Sequence, residues 1–250
     1  MQNNLLSQFP RINLHIHSRF SDGANTVDMI VQRALELQFD YIALTDHFSN
    51  SWKAGVIKTL DTYKKINLYL KSISDQNKRL LSQNAELKVL KGIEVDLGTS
   101  FDYITKLIHP SQFDLILLEY LNSAETLKFT ENLIDSWKER VEMKGKALPM
   151  LGLAHFDPSY FIHGDLNQLC DFLKKYNIFY EFNSAYSTYY SVKFKELFTK
   201  IRDLEVPVAV GADAHHLDEL NLIKAPLERI GYYRLNDNYQ ILIKQLQALR

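Results

Sequence analysis

The 250-residue chain is 46% hydrophobic and 24% charged, which is enough apolar material for a sizeable core and argues against a disordered or coiled-coil chain. A formal net charge of −1 gives no bulk attraction for DNA or RNA, although a small phosphorylated substrate stays open because local cations can meet its charge. The single cysteine, Cys170, has no partner to oxidise with, MQNNLLSQFP lacks a signal-peptide pattern, and no uncharged apolar run approaches a membrane span, so the expected location is cytoplasmic.

Short apolar runs alternate with longer segments of helical period, the pattern of a parallel sheet wrapped by helices. A first strand is predicted over 11–16. A helix over 26–38 follows, capped by Asn25 or Thr26, with Val27, Ile30, Val31, Ala34 and Leu35 on one side. A second strand covers 41–44. The polar, lysine-rich stretch 51–86 reads as one long helix or a broken pair, acting as a lid or as a subunit contact. Strands then fall at 88–95, 113–118, 150–154, 178–182 and 208–210, with helices at 124–144, 165–176, 191–204 and 238–248. No linker, repeat or low-complexity tract divides them. The expectation is therefore one α/β domain over residues 1–250, a barrel of seven strands, with the oligomeric state left open.

Histidines and acids fall at or just past the C-terminal end of nearly every predicted strand, where barrel enzymes assemble their sites. In chain order these are His15 and His17, Asp46 and His47, Glu94 and Asp96, Glu119, His155 and Asp157, Glu181 and Asn183, then Asp213 and His215. Imidazole mixed with carboxylate suits zinc, manganese or iron rather than magnesium or calcium. Spacing of i, i+2 on a strand points both rings of His15 and His17 to one face, where they can grip one ion. Asp213 and His215 share that spacing, although a loop there can turn them toward different ions. The two oxygens of Glu94 can bridge two ions. Taken singly each group has an ordinary structural explanation, such as a hydrogen-bonded strand histidine or Asp46 capping the segment after it.

The same residues resemble the PHP family, named for polymerase and histidinol phosphatase. LHIHSRFSDGANTVDMIVQRALELQFDYIALTDH is similar to that family's opening HxH, SDG and TDH motifs. KVLKGIEVDL is similar to its glutamate motif, GLAHFDP to its later histidine motif, and EFNSAY followed by GADAHH to its closing pair. The resemblance covers most of the chain and is strongest to the compact type found as free-standing phosphoesterases and as a domain attached to family X DNA polymerases. It implies a distorted barrel of seven strand–helix units that hydrolyses phosphomonoesters or phosphodiesters with two or three divalent ions. Carried over by motif, one ion falls to His15, His17, Glu94 and Asp213. A second shares Glu94 and adds His155, and a third takes Asp22, His47 and His215. One position departs: where the family has a histidine on the second ion, this chain has Leu121. Glu119 then either substitutes as an oxygen ligand or is an acid outside the coordination sphere. His109, His163 and His216 are expected not to bind metal.

Two ions sharing a water lower its pKa toward neutrality and give a bridging hydroxide, so no protein base is needed. Asp46 and Asp157 are the candidate acids for the leaving group, and Arg19, Asn183 and Tyr186 the candidate substrate contacts. Arg19 is equally well read as a solvated loop arginine. Tyr186, Tyr189 and Tyr190 suit either a flat substrate group or local packing. The leading expectation is a phosphatase acting on a small phosphorylated molecule such as histidinol phosphate or a nucleotide. A nucleic-acid phosphodiesterase is disfavoured by the near-neutral charge. A metal-binding regulatory module without catalysis is the third reading, with Leu121 as its sign.

Overall fold

The computed structural model describes residues 9–159, 161 and 165–249. Within it the apolar runs become β1 (Ile12–Ile16), β2 (Tyr41–Leu44), β4 (Lys88–Asp96), β5 (Leu115–Glu119), β6 (Met150–Leu153), β7 (Ile178–Asn183) and β8 (Val208–Gly211). All pair in parallel, in the order β1-β2-β4-β5-β6-β7-β8. A further two-residue strand, β3 (His47–Phe48), lies beside the end of β4 and sets His47 opposite Glu94. Helices fill the intervals: α1 (Val27–Glu36), α2 (Tyr63–Ser82), α3 (Phe101–Leu107), α4 (Ala124–Glu142), α5 (Leu166–Lys175), α6 (Lys195–Asp203), α7 (Lys224–Tyr232) and α8 (Asn236–Ala248). The result is the expected barrel of seven parallel strands, nearly closed.

Closure falls between β1 and β8 and is irregular. The two strands meet through an isolated bridge of Ile16 with Ala214, in which His17 N–H donates to the Ala214 carbonyl at 2.9 Å. Lower down, the buried side chain of Asn13 does the work of a ladder. Its Oδ1 accepts from the N–H groups of Ala212 at 3.1 Å and His15 at 3.2 Å, and its Nδ2 donates to the Leu220 carbonyl at 3.0 Å. Leaving a buried backbone group unpaired costs about 1–3 kcal/mol. Asn13→Ala strands up to three such groups and is expected to destabilise the barrel by roughly 3 kcal/mol. A urea denaturation midpoint equal to that of the unsubstituted protein would show that the seam is held by something else.

Of the two forms expected for the 51–86 stretch, the structure shows the broken one. It opens with a single 3₁₀ turn, Trp52–Gly55, and only then forms α2, whose N-cap Thr62 accepts from Lys65 N–H at 3.3 Å. Ile66, Tyr69, Leu70, Ile73 and Leu80 bury one face of α2 against the sheet. Tyr69 Oη donates to the carbonyls of Leu44 at 2.7 Å and Gly92 at 2.9 Å, and Asn77 pairs with both backbone groups of Val89. Thr26 stands at the N-cap of α1, but its hydroxyl donates to Asp28 rather than capping the helix. Helices α3 and α7 were not predicted: the first has only seven residues, and the second carries Pro226 in its first turn and Gly231 in its last. Among the described residues no helix is long and apolar enough to cross a membrane.

Candidate metal centre

The C-terminal rim of the barrel gathers side chains from segments more than a hundred residues apart. His15 and His17 stand on and just after β1, His47 on β3, Glu94 on β4, Glu119 at the end of β5, His155 just after β6, and Asp213 and His215 just after β8. Asp22 reaches the rim from the loop between β1 and α1. Their donor atoms form four groups, each with all its atoms within 4.8 Å of one another: His17, Asp22, His47 and His215; His15, His17 and Asp213; His15, Glu94 and His155; and His47, Glu94 and Glu119. Asp213 and His215 therefore face different groups, the alternative that their loop position had left open.

Glu94 is the hub. Ring nitrogens approach its carboxylate from three sides: His15 Nε2 at 3.3 Å, His155 Nε2 at 3.2 Å and His47 Nδ1 at 2.6 Å. Both of its oxygens are fully buried and accept no hydrogen bond of proper angle. A buried carboxylate without donors is unfavourable unless a cation meets it. The histidines repeat the point, since His15 Nε2 and His17 Nε2 lie 3.1 Å apart with their ring edges converging on Asp213 Oδ1, at 3.4 and 2.9 Å. Two neutral imidazoles this close set lone pair against lone pair unless one carries a proton or both bind an ion. The donor set and its geometry thus fit divalent ions of the zinc, manganese and iron class.

These side chains act strongly on one another's protonation. Burial alone would depress the His15 pKa, but Glu181, Glu94 and Asp213 outweigh it and hold the imidazole well above its ordinary value. His17 goes the other way, lowered by burial and by the neighbouring His47. Burial opposes the charge on Glu94 and Asp213, yet the surrounding imidazoles keep both carboxyls well below the usual range. At the open edge burial would lower His215, but its hydrogen bond to Asp22 and the charges of Asp213 and Asp22 together push it up to about 9, and Asp22 is lowered in return.

Strand geometry explains how these groups are held. Beneath the rim Glu181 on β7 receives His15 Nδ1 at 2.9 Å, which turns Nε2 toward the centre, as an outer carboxylate does for a metal-binding histidine. It also accepts His155 N–H at 2.6 Å and Asn183 Nδ2 at 3.1 Å. Gly211 makes room for it, since a Cβ there would fall 1.8 Å from Glu181 Oε1. His155 and Asp213 sit in the left-handed region, with φ of 24° and 50°. Such backbone costs of order 1–3 kcal/mol per residue and persists where the surroundings over-determine it.

The remaining sequence candidates occupy varied places. Asp46 is buried and accepts four hydrogen bonds from the backbone and hydroxyls of Ser18 and Ser21, at 2.6–2.9 Å, so it anchors the loop that carries Asp22. Asp96 is likewise turned to the backbone and to hydroxyls, taking Gly98 N–H at 2.7 Å and Ser49 Oγ at 2.7 Å, with Ser51 Oγ also bonded to it. Arg19 is exposed and donates through Nε to the Ala24 carbonyl at 2.8 Å. Asn183 is buried below the rim, its Oδ1 accepting Ala185 N–H at 3.0 Å. The Tyr186 ring lies 4.6 Å from that of His155 and stacks on Tyr189 at 5.2 Å. Tyr190 is buried and bonds to Asn183 N–H. Asp157, whose Oδ1 accepts Ser159 N–H at 2.8 Å, lines a cleft of about 290 Å³ beside His155, together with Tyr120, Leu121, Phe156 and Tyr189. Another cleft, of about 330 Å³, lies by Arg11 at the start of β1, away from the histidines. His109 and His216 belong to none of the four groups, and His163 lies outside the described residues.

Lys53 was not anticipated. It is buried, and its ammonium lies 2.7 and 2.6 Å from the two oxygens of Glu119, 3.2 Å from His47 Nδ1 and 5.2 Å from the Tyr120 ring centroid. Burial opposes its charge, but Glu94 and Glu119 outweigh that and raise its pKa above the ordinary lysine value.

Comparison with known proteins places this geometry. The PHP domain family model matches residues 13–245. The DNA polymerase/3′-5′ exonuclease PolX of Bacillus subtilis is 25% identical over 230 residues, which is 84% of this chain and 35% of that protein. The chain thus spans about a third of the length of that curated relative. The crystal structure of histidinol phosphate phosphatase from Lactococcus lactis, complexed with zinc, L-histidinol and phosphate, superposes with a TM-score of 0.57 at 12% identity, over 89% of this chain and 94% of the other. A chain from the structures of YwqE from Bacillus subtilis and CpsB from Streptococcus pneumoniae, metal-dependent tyrosine phosphatases, gives 0.56 at 18% identity over 94% of each. At these identities the structural likeness is one of fold.

Proposed function

We propose, since this chain belongs to the PHP domain family, that it is a metal-dependent phosphoesterase acting on a small phosphomonoester. The observation that carries this reading is Glu94, whose two buried oxygens accept no hydrogen bond while His15, His47 and His155 converge on them at 2.6–3.3 Å. His15, His17, Glu94 and Asp213 would hold one ion, Glu94 and His155 would share a second, and Asp22, His47 and His215 stand ready for another. Divalent ions at such donors lower the pKa of a water toward neutrality and offset charge on a phosphoryl group in transfer.

The chain's own residues do the rest. Glu181 fixes the His15 ring, and Asp46 ties down the loop that presents Asp22. Asp157, in the cleft beside His155, is the better placed of the two candidate acids to protonate a leaving oxygen, because the Asp46 carboxylate is enclosed by Ser18 and Ser21. Tyr120, Phe156 and Tyr189 give that cleft an aromatic wall, and its volume of about 290 Å³ is at the lower end of small-molecule sites. A monoester with a flat leaving group fits it. The lactococcal neighbour is named for histidinol phosphate, and the other two as tyrosine phosphatases. The PolX relative supports a second reading, nucleic-acid phosphodiester hydrolysis, against which stands the net charge of −1.

Comparison of p-nitrophenyl phosphate with bis(p-nitrophenyl) phosphate and single-stranded DNA, with manganese or zinc added, separates the two. The monoester is expected to lead in kcat/KM by at least roughly tenfold, or about 1.4 kcal/mol of discrimination. A lead for DNA that collapses as salt rises would replace this proposal with the nuclease reading.

A further inference from the structure

We propose that Lys53 is a tethered cation filling the place of a divalent ion between His47, Glu94 and Glu119, so that Glu119 is its counterion and the centre takes one ion fewer than its donors allow. The argument begins with geometry. Three donor atoms there, from His47, Glu94 and Glu119, stand as close together as those of the other groups on the rim. The Lys53 ammonium lies against two of the three, within 2.7 Å of both Glu119 oxygens and 3.2 Å from His47 Nδ1. A divalent ion bound by those atoms and a fixed ammonium would meet at less than a contact distance with like charge, so one excludes the other.

The position is built rather than incidental. Lys53 sits on the 3₁₀ turn Trp52–Gly55, whose N-cap Ser51 accepts Lys53 N–H at 3.3 Å. Ser51 and Ser49 are bonded to each other and to Asp96, which is buried at the end of β4. That chain of bonds aims a long flexible side chain into the rim, where it is 8% exposed. Charge points the same way. Against the five carboxylates of Asp22, Glu94, Glu119, Glu181 and Asp213, the three ions placed above and the ammonium leave an excess of two positive charges, whereas a fourth divalent ion in place of the ammonium would leave three. Leu121, buried and apolar beside Glu119, supplies no donor that would help an ion compete.

The inference rests on the metal-centre reading above, and its test reads ion content rather than turnover. Wild type and Lys53→Met, which keeps the length of the side chain without the charge, are equilibrated with manganese or zinc, freed of loose ions, and assayed by elemental analysis. The variant is expected to carry about one more equivalent per chain than wild type, with Lys53→Arg keeping the wild-type content. Equal or lower content in Lys53→Met overturns the proposal; ions absent from both proteins would overturn the metal-centre reading with it. A second measurement needs no variant. Anomalous scattering from the metal-loaded wild type should show no ion between His47, Glu94 and Glu119, and an ion there with Lys53 displaced sinks the idea.

Discussion

Glu94→Gln is expected to lower kcat by roughly 10³-fold or more, a loss of about 4 kcal/mol in transition-state stabilisation. The substitution preserves volume and changes little else that touches solvent, because the side chain is wholly buried. What it removes is charge and one anionic oxygen. Glu94 takes part in two of the four donor groups, beside His15 and His155 in one and beside His47 and Glu119 in the other. A neutral amide can neither bridge two ions nor balance the imidazoles at 2.6–3.3 Å around it. Ion content should therefore fall together with rate. Circular dichroism should stay unchanged, since the apolar core of the barrel lies below the rim. Turnover within about tenfold of wild type at full ion content would remove Glu94 from the centre of the mechanism.

Glu94 was visible in the sequence for a physical reason that did not extend to Lys53. Acids and histidines placed at the ends of apolar strands stand out because a parallel sheet buries both faces of its strands and leaves polar side chains tolerable only at the rims. His15, His17, Glu94, His155 and Asp213 follow that rule, and the structure brings them together. Lys53 lies in a polar stretch with Lys58, Lys64, Lys65, Lys71 and Lys78, and nothing in that composition marks one lysine as buried. Its fate depends on Ser49, Ser51 and Asp96, a contact across more than forty residues that no local period reports. Asn13 was hidden differently, as one polar residue inside an apolar strand whose use appears only where β1 meets β8. The role of Glu181 lay between these cases: its place at the end of β7 was legible, but its turn beneath His15 depends on the missing side chain of Gly211. The brief strand β3 and the seven-residue α3 are too small to show a period, and Pro226 and Gly231 mask α7.

Removal of the ions by a chelator is expected to abolish activity reversibly and to lower the melting temperature, with the size of the drop set by pH. Ring nitrogens must shed their protons before they bind metal, so ions and protons compete for the same histidines. In the ion-free protein His215 titrates at about 9, and the carboxylates around His15, His47 and His155 raise those groups too. An unfolded imidazole titrates near 6.5. These raised groups therefore contribute stability to the ion-free fold that is complete below about pH 6.5 and fades as pH rises toward about 9. Ion binding strengthens over the same interval, because the competing protons leave. The difference in melting temperature between loaded and chelated protein should thus widen from pH 6.5 to 9. At a free-ion concentration a thousand times Kd, each ion contributes about 4 kcal/mol. For a chain of this length that corresponds to a rise of roughly 8–16 °C per ion, readable by scanning calorimetry. Equal melting temperatures with and without chelator across that range would mean that the convergent histidines and carboxylates balance one another alone, and that the centre holds no ion.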